Sequence, residues 1–276
     1  MSASLANIAV TAMLTLMLVP ATSAAEIVGH RGASADAPEN TLASFKLGYQ
    51  QNADADELDI HLTKDGKIVV IHDYDTKRVG GVDKKVLEQT FDEIRAINVG
   101  AFGKWAGKGF VEKVPTLDEV LALIPTGKKL LIEIKVHQEI LPALAETLKR
   151  ATVKPEQTII ITFYLEVAEA AKKMFPDRKV YWLHGYAKDK KTGKFPELDD
   201  VIAKAKRAGV DGVDLEHHFP LDAAAIKKIK SAGLECHVWT LDDLAKAREL
   251  IKAGVDSITT NRPGDLRHEL QATPQK

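Results

Sequence analysis

From Ile27 onward the chain repeats one phrase: a short aliphatic or β-branched run, then an amphipathic stretch. That alternation confines the fold to an α/β architecture with a parallel sheet. The strand-like runs are Ile27–His30, Glu57–Thr63, Leu130–Lys135, Thr158–Phe163, Val180–His184, Gly212–Glu216, Glu235–Thr240 and Ser257–Asn261. Helical patterns between them include Thr41–Gln51, Leu141–Arg150, Leu165–Met174, Leu198–Ala208, Ala223–Ala232 and Leu244–Ala253. Three of these run into glycine at Ala208-Gly209, Ala232-Gly233 and Ala253-Gly254, where a left-handed C-terminal cap fits. Eight such strands, mostly separated by single helices within about 235 residues, predict a (β/α)8 TIM barrel. An open doubly wound sheet would want a phosphate loop after its first strand. Gly29-His30-Arg31-Gly32 followed by Ala33-Ser34 lacks the G-x-G-x-x-G spacing.

One segment breaks the alternation. Ile68-Val69-Val70-Ile71-His72 follows the second strand after only Lys64-Asp65-Gly66-Lys67, too short a link for a helical crossover. Asp-Gly between apolar runs predicts a β-hairpin at strand 2. A two-residue Asp65-Gly66 turn sets Lys64 against Lys67 and, further along, Asp59 against His72 at the barrel mouth. Residues Tyr74–Pro115, with a Gly-rich and aromatic part at Val99–Phe110, then read as a small capping insertion over that mouth.

Composition narrows the partners. Lys+Arg 38 against Asp+Glu 39 gives a net charge of −1, without the clustered basic residues a nucleic-acid groove needs. Cys236 is the single cysteine, so any metal is held by oxygen or imidazole. Residues 1–25 carry no charged side chain; an apolar run from Ile8 to Val19 leads through Pro20 to small residues ending at Ala24-Ala25. This pattern predicts a cleaved secretory signal peptide and a periplasmic or secreted protein. The apolar run is shorter than the roughly 20 residues that span a bilayer. No stable membrane insertion is therefore expected after cleavage.

Catalytic sites of such barrels lie at the C-terminal strand ends, and polar residues collect there. His30-Arg31 closes strand 1; Glu57 and Asp59 lie on strand 2, Glu133 and Lys135 on strand 3. Period-two alternation puts each of these pairs on one face, with Leu58, Ile60, Ile132 and Ile134 turned to the helices. Three acidic side chains with no cysteine select a hard divalent cation, Ca²⁺ or Mg²⁺. Arg31 and Lys135 suit phosphoryl oxygens, and the imidazoles of His30 and His72 suit acid and base roles on either side of a phosphorus atom. His61, His137, His184, His217, His218 and His237 read as structural histidines.

Taken in order, Gly29-His30-Arg31-Gly32, Pro38-Glu39-Asn40-Thr41, Glu57-Leu58-Asp59-Ile60, His72-Asp73, Glu133-Ile134-Lys135 and Val238-Trp239-Thr240 resemble the glycerophosphodiester phosphodiesterase family. The resemblance implies that Glu57, Asp59 and Glu133 bind one divalent cation and that His30 and His72 are the acid–base pair. It implies substrate contacts from Arg31 and Lys135, a positioning role for Glu39, and Trp239 among the substrate-binding residues. The expected reaction is hydrolysis of a small glycerophosphodiester to sn-glycerol 3-phosphate and an alcohol. Lysophospholipase D, a cyclising phosphodiesterase and a non-catalytic phosphodiester-binding protein are the alternatives. The chain departs from the family where Tyr74-Asp75-Thr76-Lys77-Arg78-Val79-Gly80 replaces the usual Leu and Arg-Thr-Thr, and where Thr162-Phe163 and Thr260-Asn261 replace Ser-Phe and Thr-Asp. None of these departures removes a metal or acid–base position, and as cap and rim residues they bear on the preferred alcohol.

Overall fold

The computed structural model describes residues 25–272; the predicted signal peptide falls almost wholly outside them. The strands are β1 (Glu26–Gly29), β2 (Ala55–Leu62), β3 (Ile68–Val70), β4 (Asp75–Thr76), β5 (Val82–Lys85), β6 (Lys129–Ile134), β7 (Thr158–Thr162), β8 (Val180–His184), β9 (Gly212–Glu216), β10 (Glu235–Trp239) and β11 (Ser257–Thr260). The helices are α1 (Leu42–Gln50), α2 (Lys77–Gly80), α3 (Phe91–Ala96), α4 (Leu117–Leu121), α5 (Leu141–Arg150), α6 (Leu165–Met174), α7 (Leu198–Ala208), α8 (Ala223–Ser231), α9 (Leu244–Ala253) and α10 (Pro263–Ala272). Eight parallel strands run β1-β2-β6-β7-β8-β9-β10-β11, and β11 pairs back onto β1. The barrel is closed, a (β/α)8 TIM barrel.

The barrel strands bury both faces; β6, β7 and β8 are largely apolar, while β2 interleaves Asp56, Glu57, Asp59 and His61 with its aliphatic residues. Val28, Ala55, Leu131, Ile159, Ile161, Tyr181 and Leu183 fill the interior. The alternate residues, among them Ile27, Leu58, Ile60, Leu130, Ile132 and Ile134, meet the helices in the larger core. Gly209 and Gly254 end α7 and α9 at φ 70° and 101°, conformations open to glycine because it lacks Cβ.

The hairpin at β2 forms, but one residue out of the expected register. Ile60 pairs with Val70, His61 with Val69 and Leu62 with Ile68. Ile71, not His72, lies opposite Asp59 and donates to its carbonyl at 3.0 Å. The turn holds three residues, Lys64-Asp65-Gly66, with Gly66 at φ 73°. Thr63 Oγ1 donates to Asp65 Oδ1 at 2.6 Å and accepts from the Lys67 N–H at 2.9 Å. That side chain selects the longer loop with a left-handed glycine over a two-residue turn.

Beyond β3 the chain forms β4, α2, β5 and α3 around a separate cluster of Val69, Ile71, Val86, Ile94, Val99 and Val114. Arg78 ties this segment to Glu39 after β1, Tyr74 ties it to the Lys135 carbonyl after β6, and Lys104 ties it to the Ser34 carbonyl. All three anchors lie at C-terminal ends of barrel strands, where the candidate site residues also lie.

Candidate active site

Adjacent strands bring the acidic groups together. β2 and β6 run in parallel register with Asp59 beside Glu133, and two residues before Asp59 on the same face stands Glu57. All three are buried, and one carboxylate oxygen from each lies within 4.8 Å of the others. Burial, then Asp59 and Glu133, push Glu57 well above the usual carboxyl range. Burial, then Asp59, push Glu133 up to about 8. Burial opposes ionisation of Asp59 as well, but Arg31 and Lys135 outweigh it and hold Asp59 far below the usual range. Arg31 Nε and Lys135 Nζ each stand 3.4 Å from Asp59, and Lys135 donates to Glu133 at 2.7 Å. Asn40 adds a 2.8 Å hydrogen bond to Asp59. Glu57 Oε2 accepts the Arg31 backbone N–H at 3.0 Å, while Oε1 has no partner. A buried, unpartnered carboxylate oxygen within an all-oxygen triad fits a hard divalent cation.

The turn after β1 carries the first imidazole. Arg31 sits at φ 55° and Asn40 at φ 56°. Left-handed backbone costs an arginine about 1–2 kcal/mol, a strain of the kind functional sites retain. Gly32, at φ 78°, has no room for Cβ, which would come within 2.6 Å of the Ser44 carbonyl oxygen. His30 Nδ1 lies 2.7 Å from Asn261 Oδ1. Asn261 Nδ2 donates to Asp242 at 2.7 Å, and a carboxylate only accepts, so the amide oxygen must face His30. His30 Nδ1 therefore carries its proton, and Nε2 keeps a lone pair. Burial and then Arg31 lower His30 to about 4.

The second imidazole follows β3. His72 Nδ1 donates to Asp73 Oδ1 at 2.6 Å, which again leaves Nε2 for chemistry. Burial lowers its pKa, with Asp59 and Asp73 working against that. Arg78 clamps the surroundings: it donates to Asp73 at 2.7 and 3.2 Å and to Glu39 at 2.7 and 2.9 Å. Glu39 in turn accepts from Arg31 at 2.8 Å. A cavity of about 480 Å³ opens beside His72, Glu133 and Lys135.

The Glycerophosphoryl diester phosphodiesterase family model matches residues 30–265. The chain belongs to that family. The glycerophosphodiester phosphodiesterase of Caldanaerobacter subterraneus subsp. tengcongensis is 34% identical over 247 residues, 87% of this chain and 95% of that one. A Bacillus subtilis glycerophosphodiester phosphodiesterase is 28% identical over 94% of each chain. Among solved structures, an Oleispira antarctica phosphodiesterase in complex with the product sn-glycerol-3-phosphate aligns with TM-score 0.79 at 24% identity, over 90% of this chain and 97% of that one. The glycerophosphodiester phosphodiesterase of Thermotoga maritima aligns with TM-score 0.70 at 27% identity, over 88% and 97%. This family member is an enzyme, and its activity is that of a glycerophosphodiester phosphodiesterase.

Within this glycerophosphodiester phosphodiesterase the fold gathers His30, Arg31, Glu39, Glu57, Asp59, His72, Glu133 and Lys135 around one end of the barrel. Trp239 is not part of the cavity wall. Its indole N–H donates to the Asp214 carbonyl at 3.0 Å, and its ring packs edge-on against Phe163 at 5.2 Å. His61 is buried, lowered by burial to about 4, and donates to the His72 carbonyl at 3.1 Å. His237 stacks on Tyr181 inside the barrel. Asp73, Arg78, Asn261 and Asp242 act on the site without having been singled out from sequence. The His72-Asp73 dipeptide was a usable signal for Asp73, and Arg78 and Asn261 stand at positions where the chain departs from the family; their partners, like those of Asp242, come from tertiary contact.

Proposed function

We propose that this enzyme hydrolyses glycerophosphodiesters to sn-glycerol 3-phosphate and an alcohol, with one Ca²⁺ or Mg²⁺ held by Glu57, Asp59 and Glu133. The carrying observation is the buried acidic triad with an orphaned Glu57 oxygen, flanked by two imidazoles whose Nδ1 atoms are both engaged. When bound, the cation supplies positive charge that neutralises the phosphoryl oxygens. Arg31 and Lys135 bring fixed positive charge to the same oxygens and stabilise it as it grows in the transition state. The different partners of the histidines divide their work. A neutral amide oxygen behind His30 favours the unprotonated ring, so Nε2 takes the proton from the nucleophile. The Asp73 carboxylate behind His72 stabilises an imidazolium, so Nε2 gives its proton to the leaving oxygen. The nucleophile is water or the glycerol 2-hydroxyl, the latter through a cyclic phosphate.

The uncharged leader and small residues at Ala24-Ala25 support export to the periplasm or beyond. Among the described residues no helix is long and apolar enough to cross a membrane. The test is coupled detection of sn-glycerol 3-phosphate after chelation, with Ca²⁺ and Mg²⁺ restored separately. Release should vanish with the chelator and return with at least one ion. Undiminished release in chelator would remove the cation from the reaction, and no release with either ion would leave a binding protein. Phosphorus NMR separates the two nucleophiles, since only the hydroxyl route passes through a cyclic phosphate.

A further inference from the structure

The mouth of the barrel carries two loops whose chemistry the hydrolytic site does not use. Residues 99–113 of the capping segment hold Lys104, Lys108 and Lys113 against one acidic residue, Glu112. Residues 186–195, which follow β8, hold Lys188, Lys190, Lys191 and Lys194 against Asp189 alone. The whole chain carries −1, so both loops are basic against an acidic remainder. Among the described residues none of these seven lysines pairs with a carboxylate, whereas Lys172 and Lys230 on the barrel's flank pair with Asp211 and Asp256.

Both loops also present apolar surface. Eight large apolar side chains stand exposed among the described residues; five belong to the capping segment, Phe102 and Val111 among them, and a sixth is Phe195. Val111 is 75% exposed. Lys104 and Lys108 set their ammonium groups 4.7 and 4.8 Å from the centre of the Trp105 ring, and Lys188 stands 5.4 Å from that of Phe195. Ammonium groups on aromatic rings, with bare aliphatic surface beside them, match the boundary between lipid headgroups and acyl chains. A soluble polyanion would satisfy the lysines and leave Phe102, Val111 and Phe195 in water.

The loops are separated in sequence by three barrel strands, and the fold sets them to act together. In barrel order β8 stands four strands from β1 in either direction, across the mouth from it. The capping loop is pinned on the β1 side, where Lys104 donates to the Ser34 and Ala35 carbonyls at 2.8 and 3.2 Å. A Cβ placed on Gly103, Gly107, Gly109 or Gly193 would meet nothing within 4 Å, so both loops stand clear of the barrel. A flat surface touches both only when the mouth faces it. We infer that this face docks on an anionic lipid bilayer, with the lysines on the headgroups and the exposed apolar side chains at the interface.

Vesicle co-sedimentation tests the docking. Residues 1–24 are apolar enough to take up lipid themselves, so the chain is used from Ala25, which keeps the whole barrel. With Mg²⁺ present throughout, it should sediment with vesicles of phosphatidylglycerol and phosphatidylcholine and stay in solution with phosphatidylcholine alone. Raising the salt should release it. Lys108→Glu in one loop, and Lys190→Glu with Lys191→Glu in the other, should each weaken binding by about tenfold or more at unchanged melting temperature. Lys227→Glu, exposed on α8, should change it by about twofold at most. No sedimentation with the anionic vesicles overturns the inference, as does equal sedimentation with both compositions. A loss in Lys227→Glu as large as in the loop variants overturns it too, because the attraction then belongs to the whole surface. Binding to a single-stranded DNA oligonucleotide without binding to vesicles would make the loops a polyanion site instead.

Discussion

At the scale of single residues, the site sets two chemically identical imidazoles apart by what stands behind them. Asp73 is held down at about 2: burial opposes its charge, but hydrogen bonds from Arg78 and His72 outweigh burial, so it stays ionised across the working pH range. Burial lowers the pKa of His72, and the hydrogen bond to Asp73 works against that lowering. Asp73→Asn keeps an acceptor for Nδ1–H and removes the charge, so the imidazolium form of His72 loses support. If that form is the acid, the alkaline limb of the kcat/KM profile moves to lower pH and the acid limb stays put. His72→Ala should cost roughly 10²–10⁴ in turnover. An unshifted alkaline limb in Asp73→Asn would mean that His72 is not the acid. The triad, both histidines and the cationic Arg31 and Lys135 were legible in sequence because their chemistry is concentrated in short runs on strand ends. Asn261 and Arg78 were not. Asn261 meets His30 across 231 residues and Arg78 meets Glu39 across 39, separations at which no local pattern reports a contact.

At the scale of elements, the corner formed by β1, α1 and β2 leaves no room for a Cβ at Gly29 or Gly48. Asp56 faces outward from β2 with both carboxylate oxygens buried and unpartnered, and burial pushes its pKa well above the ordinary value. It fits because its neighbours are glycines. A Cβ on Gly29 would lie 2.3 Å from Asp56 Oδ1, and one on Gly48 would lie 2.2 Å from it. Gly48 is inside α1, where alanine is intrinsically the better residue by about 1 kcal/mol. The clash reverses that sign, because Asp56 is short and enclosed. Gly48→Ala should destabilise by about 1–3 kcal/mol, and the same substitution in an Asp56→Ala background should lose less or gain. A denaturant-melt double-mutant cycle measures the difference, and additive effects would show that the corner has slack. The parallel strands were legible because both faces are buried and their aliphatic residues recur at regular spacing between helical patterns. The hairpin was legible in kind but not in register, since Thr63 rather than Asp65-Gly66 decides the loop length. The elements of the capping segment were not legible, because β4 and β5 span only two and four residues.

At the scale of the whole molecule, the barrel mouth concentrates more negative charge than a cation-free interior tolerates. A carboxyl raised in the folded state stabilises the fold below its unfolded pKa and loses that contribution as pH climbs through its folded value. For Glu133 the window runs from 4.5 to about 8, and for Asp214, raised by burial deeper in the barrel, from 3.8 to about 7. Asp59, held low by Arg31 and Lys135, works in the opposite direction and matters only in acid. A cation that binds Glu57, Asp59 and Glu133 must displace the protons held at neutral pH, so its affinity rises with pH and its binding releases protons. Saturating Ca²⁺ or Mg²⁺ should therefore raise the melting temperature more at pH 8 than at pH 6, by about 2–4 °C for each additional kcal/mol of binding free energy. Glu57→Gln should flatten that difference, while Asp214→Asn, which leaves the triad intact, should preserve it. Thermal melts in chelator and in each ion at the two pH values decide the matter. An ion-induced gain that is the same at both would mean that the acidic groups of β2 and β6 are not what the cation binds.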